Sequence, residues 1–102
     1  MGGDQNLFCS LARFFIEDAP DLLRQIQDGL LRENAEQVTR AAHSLRGLAA
    51  NFDALIAVEA ARQVEDLGRS GRLTAAFEST ALLEREVLRL NEALAPFGEV
   101  KR

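Results

Sequence analysis

Two prolines, Pro20 and Pro96, bound a stretch of 75 residues that contains no obligatory helix breaker. Apolar residues recur within this stretch at spacings of three and four, which is the period of a helix with one buried face. No sustained alternation of apolar and polar residues occurs, and no tight turn of the Asn-Gly or Asp-Gly type joins two β-branched runs. The pattern therefore predicts an all-α fold.

Five segments carry the helical period. The first is predicted to be a short helix that stops before Pro20, and the last has the clearest heptad pattern. A parallel coiled coil would also explain heptads, but the short connections favour an antiparallel up-and-down four-helix bundle with a short extra N-terminal helix. The segments are 6–17, 19 to the turn at Asn34, 35–52, 54–67 and 73–95.

Length and composition predict one domain spanning residues 1–102, because a second core would need more apolar surface than 102 residues can bury. The hydrophobic fraction of 47% is typical of a packed interior and too high for a disordered chain. Residues 1–5 are predicted to be disordered or a remnant of cloning.

The formal net charge is −4, and no cluster of Lys and Arg interleaved with aromatic residues occurs, so nucleic acid is not an expected partner. No run approaches the roughly 18 apolar residues of a membrane span, and the N-terminus lacks the features of a secretion signal. The single cysteine, Cys9, leaves no partner for a disulfide within the chain. We therefore expect a cytoplasmic protein without a membrane partner, and a closed bundle favours a monomer.

His43 is the only histidine, and helical geometry predicts its direction. At about 100° per residue it is turned by about 200° from Leu45, which belongs to the predicted core stripe. The ring should therefore point away from the core. The residues predicted to share its side of the helix are Arg40, Arg46, Gly47 and Ala50. A glycine in mid-helix costs about 1 kcal/mol relative to alanine, so Gly47 suggests that something approaches the backbone closely there.

An exposed imidazole can accept and release a phosphoryl group, because its neutral nitrogen is both nucleophilic near pH 7 and a good leaving group. Arg46, one turn further on, could place a guanidinium beside the phosphoryl oxygens. An ordinary surface histidine remains an equal alternative on the helical wheel alone. A zinc site is disfavoured because no second His is available, and the spacing supplies no hydrolytic triad.

The segment 42–52, with the sequence AHSLRGLAANF, resembles the signature of the histidine-containing phosphotransfer (HPt) domain family, His-x-Leu-Lys-Gly followed by small residues and Asn. Two further segments are similar to family features: 15–23, FIEDAPDLL, to the junction of the first two helices, and 64–68, VEDLG, to the close of the next helix. The similarity extends from about Leu7 to Leu94.

This resemblance implies that His43 is the phosphorylated nucleophile, that Arg46 replaces the usual lysine in stabilising the phosphoryl charge, and that Gly47 gives a partner steric access. Asp53 stands where the family often has Gly. Glu65 aligns with a family position that is often Gln, and we interpret it as a surface acid, with Gln63 or Arg62 as substitutes. Asn51 is interpreted as structural rather than as a phosphate contact.

The resemblance further implies a carrier in a two-component phosphorelay, which accepts a phosphoryl group from a receiver-domain aspartate and passes it to another receiver. Such a domain is a phosphotransfer intermediate rather than a stand-alone enzyme. We expect no bound cofactor or metal, with Mg²⁺ held by the receiver. The expected partners are response-regulator receiver domains, and a hybrid sensor histidine kinase is a further candidate.

Two alternatives remain open. One is the phosphoacceptor module of a chemotaxis-type histidine kinase, which takes its phosphoryl group from ATP through a kinase domain. The other is a four-helix bundle that only binds partners and uses His43 as a contact. In the relay interpretation, Leu48 and the phenylalanines of the first helix are candidates for a receiver-docking patch, although each taken alone could also belong to the core.

Overall fold

The computed structural model describes the backbone of residues 2–98 and the side chains of residues 6–98, and within this range the chain forms four helices and no strand. The helices are α1 (Gly2–Leu31), α2 (Ala35–Ala50), α3 (Leu55–Arg69) and α4 (Leu73–Gly98). The predicted all-α four-helix bundle is confirmed.

Each helix packs against its two neighbours in a ring: α1 contacts α2 and α4, and α3 contacts the same two helices. Since three short connections join consecutive helices, the chain runs up and down in antiparallel fashion. The molecule measures 45 × 24 × 19 Å, and its long dimension corresponds to the 30 residues of α1. Between residues 2 and 98, no helix combines the length and the apolar character needed to cross a membrane.

The core is built from one apolar stripe on each helix. Small residues dominate the buried face of α3, which allows that helix to approach its neighbours closely. Two glycines serve the same purpose around Val38: a Cβ at Gly29 would lie 2.9 Å from Val38 Cγ2, and one at Gly68 would lie 3.1 Å from Val38 Cγ1. The largest fully buried apolar side chains are Phe15, Ile26, Leu45, Leu83, Val38, Val64 and Val87.

Helix α1 does not break before Pro20, so the predicted short N-terminal helix is continuous with the second predicted helix. Proline removes one backbone hydrogen bond from a helix interior. Here Phe15 and Ala19 before the proline and Ile26 after it are all fully buried against the same core. This shared packing holds both halves in one helix and outweighs the local preference to break.

The prediction for residues 1–5 stays a prediction. The backbone of residues 2–5 is described as part of α1, and Met1 lies outside the described residues.

Helices α1 and α3 end in the same hydrogen-bond pattern but with different residues at the critical position. At the end of α1 the Asn34 amide donates to the Gly29 carbonyl (2.8 Å), and Glu33 has a left-handed φ of 56°. After α3 the corresponding left-handed position is Gly71, with a φ of 76°. Glycine tolerates this conformation because it has no Cβ, whereas glutamate is strained there. Asp53, which the resemblance aligns with a position often occupied by Gly, also has a left-handed φ of 52°.

We predict that Glu33→Gly stabilises the domain by about 1 kcal/mol, because it relieves a left-handed glutamate at a position where glycine is unstrained. Gly71→Ala should have the opposite effect, with a loss of about 1 kcal/mol. Urea unfolding followed by circular dichroism at 222 nm measures both. Equal stabilities of Glu33→Gly and the parent would contradict the assignment of strain to Glu33.

Candidate functional site

His43 lies in the middle of α2 with its side chain 64% exposed, while its neighbours Ala42 and Leu45 are fully buried. The backbone of the helix is therefore held by the core, and the imidazole points outward from it. This orientation agrees with the direction predicted from helical geometry. The ring is accessible to another molecule.

Glu65 of α3 lies against this histidine, with Oε2 2.9 Å from His43 Nδ1. The interpretation of Glu65 as a surface acid was wrong: the residue is only 2% exposed. It occupies the buried stripe of α3 between Ala61 and Gly68, and their small side chains let α2 approach. A buried carboxylate is tolerated only when partners compensate for its lost hydration, and here they do.

Two arginines complete the surroundings of Glu65. Arg46 Nε lies 2.9 Å from Glu65 Oε1, and Arg46 Nη2 lies 3.0 Å from His43 Nδ1. Arg69, from the last turn of α3, donates through Nη2 to Glu65 Oε2 at 2.8 Å. Together these residues form what we call the His43 network: His43, Arg46, Glu65 and Arg69. His43 and Arg46 were predicted from the sequence as site residues, and Arg69 was not.

The network keeps Glu65 ionised. Burial raises the pKa of its carboxyl, but hydrogen bonds from His43 and Arg69 and the positive charge of Arg46 outweigh that effect and bring the pKa below its ordinary value of 4.5. Glu65 therefore carries a full negative charge at neutral pH.

His43 Nδ1 faces two groups with opposite requirements, because a carboxylate only accepts hydrogen bonds and a guanidinium only donates them. A proton on Nδ1 suits Glu65, and a lone pair suits Arg46. Arg46 Nε and Glu65 Oε1 are buried, lie 2.9 Å apart and make no well-aligned hydrogen bond within the described residues. With the proton on Nδ1, the ring donates to Glu65 Oε2, and Arg46 faces Glu65 Oε1 through Nε. The lone pair of the imidazole is then on Nε2.

Gly47, one turn after His43, is not required by packing inside the domain. A Cβ at this position would meet no atom within 4 Å, whereas a Cβ at Gly68 would lie 2.8 Å from Thr39 Oγ1. Gly47 instead borders an open groove between α1 and α2 that is also lined by Asp18, Leu22 and Leu48. The glycine leaves this surface uncovered beside the histidine.

The other candidate residues do not belong to the His43 network. Arg62, a suggested substitute for Glu65, pairs instead with Glu59 and Asp66 on its own helix. Gln63 is exposed. Asn51 caps the end of α2, where its backbone amide donates to the Leu48 carbonyl at 3.3 Å.

The predicted docking residues divide between core and surface. Phe15 is fully buried, and its ring packs edge-on against Phe52 at a centroid distance of 5.8 Å. Phe8 also packs against Phe52 but is 38% exposed, and Leu48 is half-buried. Phe14 is 52% exposed. Of these side chains, Phe14 is therefore the most available to a partner.

Among the residues that the structure describes, no group of three or more His, Cys, Asp or Glu side chains is placed to hold a metal ion.

Comparison with protein families adds one independent finding. The family model described as "Hpt domain" matches residues 10–93, which is most of the chain and includes every member of the His43 network. Neither a comparison with curated proteins nor one with solved structures found a match.

We predict that Glu65 makes the stability of the domain depend on pH in the acid range. Because its folded-state pKa lies below the ordinary value of 4.5, its stabilising contribution is present above that pH and is lost as the pH falls through the lower folded-state pKa. Urea unfolding of the parent and Glu65→Gln at several pH values between about 2 and 7 measures this. The stability of Glu65→Gln should fall less steeply on acidification.

The control is Glu78→Gln, which removes the same formal charge from an exposed position on α4. Its pH profile should parallel that of the parent. Identical profiles for Glu65→Gln and Glu78→Gln would refute a special electrostatic role for Glu65.

Proposed function

Because this chain belongs to the Hpt domain family, whose members perform histidine phosphotransfer in phosphorelays, we propose that it accepts a phosphoryl group on His43 from a receiver-domain aspartate and passes it to another receiver. One observation carries the proposal. His43 projects outward with its Nδ1 side engaged by a buried carboxylate, so that its other nitrogen is available to an incoming phosphoryl donor.

The proposed step is in-line attack by His43 Nε2 on the phosphorus of the aspartyl phosphate. An N–P bond forms, the P–O bond of the acyl phosphate breaks, and the receiver aspartate leaves as a carboxylate. The proton of the imidazole stays on Nδ1. Transfer to the next receiver is the reverse reaction with a different aspartate, so no net oxidation or proton release is required.

Glu65 acts in this scheme as a positioning residue. Its contact with Nδ1 holds the ring in one orientation and stabilises the positive charge that develops on the imidazole during attack, as a buried carboxylate does for a catalytic histidine in other enzymes. Because the carboxylate belongs to α3 and the histidine to α2, the tight packing of these helices fixes the geometry.

Arg46 is proposed to stabilise the transferred group. Its guanidinium lies 3.0 Å from the imidazole through Nη2, so a modest movement brings it to a phosphoryl group on the same ring. A phosphoryl group adds a charge of about −1.5 to −2 and three acceptor oxygens, and the planar fork of arginine matches such oxygens well.

The surface next to His43 is proposed as the receiver-docking face. The open groove at Gly47, with Leu48 among its lining residues and Phe14 exposed on the neighbouring helix, combines apolar contact with room for a loop of the partner. The receiver would supply Mg²⁺ and the acidic pocket. We further propose that the chain works as a cytoplasmic monomer, with a hybrid sensor kinase as an additional partner.

The direct test offers the parent chain and His43→Gln a receiver carrying a ³²P-labelled aspartyl phosphate. The parent should acquire an acid-labile, alkali-stable label, and His43→Gln should acquire none, because glutamine cannot form the N–P bond. Equal labelling of both would refute the site. Circular dichroism should give the same helix content for both, since the ring is exposed.

A second experiment, in which the phosphoryl donor is varied, distinguishes a relay carrier from the two alternative functions. A chemotaxis-type phosphoacceptor module would be labelled by a kinase catalytic domain with ATP and poorly by phosphorylated receivers. A bundle that only binds partners would bind a receiver but carry no phosphohistidine with either donor. Labelling by receivers and onward transfer to an unlabelled receiver are the results that support a relay.

We predict that Gly47→Gln folds at least as stably as the parent but receives a phosphoryl group from a receiver at least about tenfold more slowly. Glutamine is the better helix former, and no atom lies within 4 Å of the added Cβ, so the fold should not suffer. Its side chain would instead cover the groove. The measurements are urea unfolding and rapid-quench transfer kinetics.

Phosphoramidate, a donor small enough to avoid the groove, is the control. It should label His43 in Gly47→Gln and in the parent at similar rates. An unchanged rate from the receiver would show that this glycine does not serve access.

A further inference from the structure

Arg69 belongs to the His43 network but takes no part in the proposed transfer step. It lies at the C-terminal end of α3, one turn beyond Glu65, and its side chain is 62% exposed. It donates through Nη2 to Glu65 Oε2 at 2.8 Å, and its other terminal nitrogen makes only a long contact of 3.4 Å with Asp66 Oδ1. Most of its donor capacity is therefore free.

Arg69 and His43 share one acceptor atom. Glu65 Oε2 accepts from Arg69 and also contacts His43 Nδ1, so the guanidinium and the imidazole lie within two hydrogen-bond lengths of each other. Both side chains are mostly exposed, at 62% and 64%. A group attached to the outer side of the imidazole would therefore be within reach of Arg69 after a change of side-chain rotamer.

The charges favour such a change. Glu65 carries one negative charge and is in contact with two arginines, so one arginine can leave while the other still pairs with the carboxylate. Phosphorylation would add a charge of about −1.5 to −2 a few ångströms away. That added charge attracts a guanidinium, and the more exposed one, that of Arg69 at 62%, moves at lower cost than that of Arg46, which is 34% exposed.

We propose that Arg69 is a second phosphoryl-binding residue: it is stored on Glu65 while His43 is free and turns to the phosphoryl oxygens when His43 is phosphorylated. This inference rests on the proposed function. The cations that contact the phosphoryl group then come from two helices, Arg46 from α2 and Arg69 from α3. A phosphoryl group clamped from both sides is held more strongly on the histidine than one held by Arg46 alone.

The experiment compares Arg69→Ala with Arg62→Ala. Both variants remove one arginine from α3, but Arg62 pairs with Glu59 and Asp66 and, within residues 6–98, makes no direct hydrogen bond or ion pair with a member of the His43 network. In a closed mixture with a receiver, Arg69→Ala should shift the equilibrium about threefold to tenfold toward the phosphorylated receiver, as expected for the loss of one partly exposed charge-assisted contact. Arg62→Ala should match the parent.

A spectroscopic measurement excludes a merely structural role. ³¹P NMR follows the second ionisation of the phosphoryl group in chains phosphorylated with phosphoramidate. A neighbouring cation favours the dianion, so Arg69→Ala should shift the titration midpoint upward by about half a pH unit, whereas Arg69→Lys should shift it less because the charge is kept.

The outcomes separate the two proposals. If Arg69→Ala and Arg62→Ala agree with the parent in both equilibrium and titration, the role of Arg69 is refuted while the proposed function stands. If receivers do not label the parent but phosphoramidate does, the proposed function fails and the titration still tests Arg69. If neither donor labels His43 of the parent, both proposals are refuted.

Discussion

The site depends on a carboxylate that is buried between two helices. Leaving the charge of Glu65 unpaired at 2% exposure would cost several kcal/mol, so at least one of its donors must be in place whenever the bundle is folded. Those donors come from α2, through His43 and Arg46, and from α3, through Arg69. The same contacts therefore fix the register of α2 against α3 and the orientation of the imidazole. When α2 and α3 pack together during folding, the imidazole is therefore also placed in its orientation.

The direction of the His43 side chain could be predicted from the sequence by geometry alone, whereas its partners could not. The outward direction of His43 needed only the helical period and the core stripe of α2, because an amphipathic helix has few ways to rotate. Glu65 was misjudged because a glutamate is expected at the surface, although its position on the stripe between Ala61 and Gly68 pointed inward. Sequence spacing on one helix cannot show which residues of a neighbouring helix will neutralise a charge. That information arises only when α2 and α3 pack, and the same holds for Arg69.

The continuity of α1 through Pro20 could not be predicted from the local sequence. Proline is a strong local signal, yet Phe15, Ala19 and Ile26 bury the two halves of α1 against one core. The glycines make a related point. Gly29 and Gly68 are needed because Val38 leaves no space for a side chain, whereas the space around Gly47 is open. Residue type alone does not separate a glycine that serves packing from one that leaves a surface clear, but the atoms around it do.

The contact between His43 Nδ1 and Glu65 determines which nitrogen of the ring can be phosphorylated. With Nδ1 turned toward the interior and bonded to Glu65, only the outer nitrogen is presented to a donor. A phosphohistidine formed on this folded chain would be a single positional isomer, substituted at the nitrogen remote from the backbone, rather than the mixture that free histidine yields. Antibodies and stable analogues that discriminate between the two isomers would therefore have one relevant form for this domain.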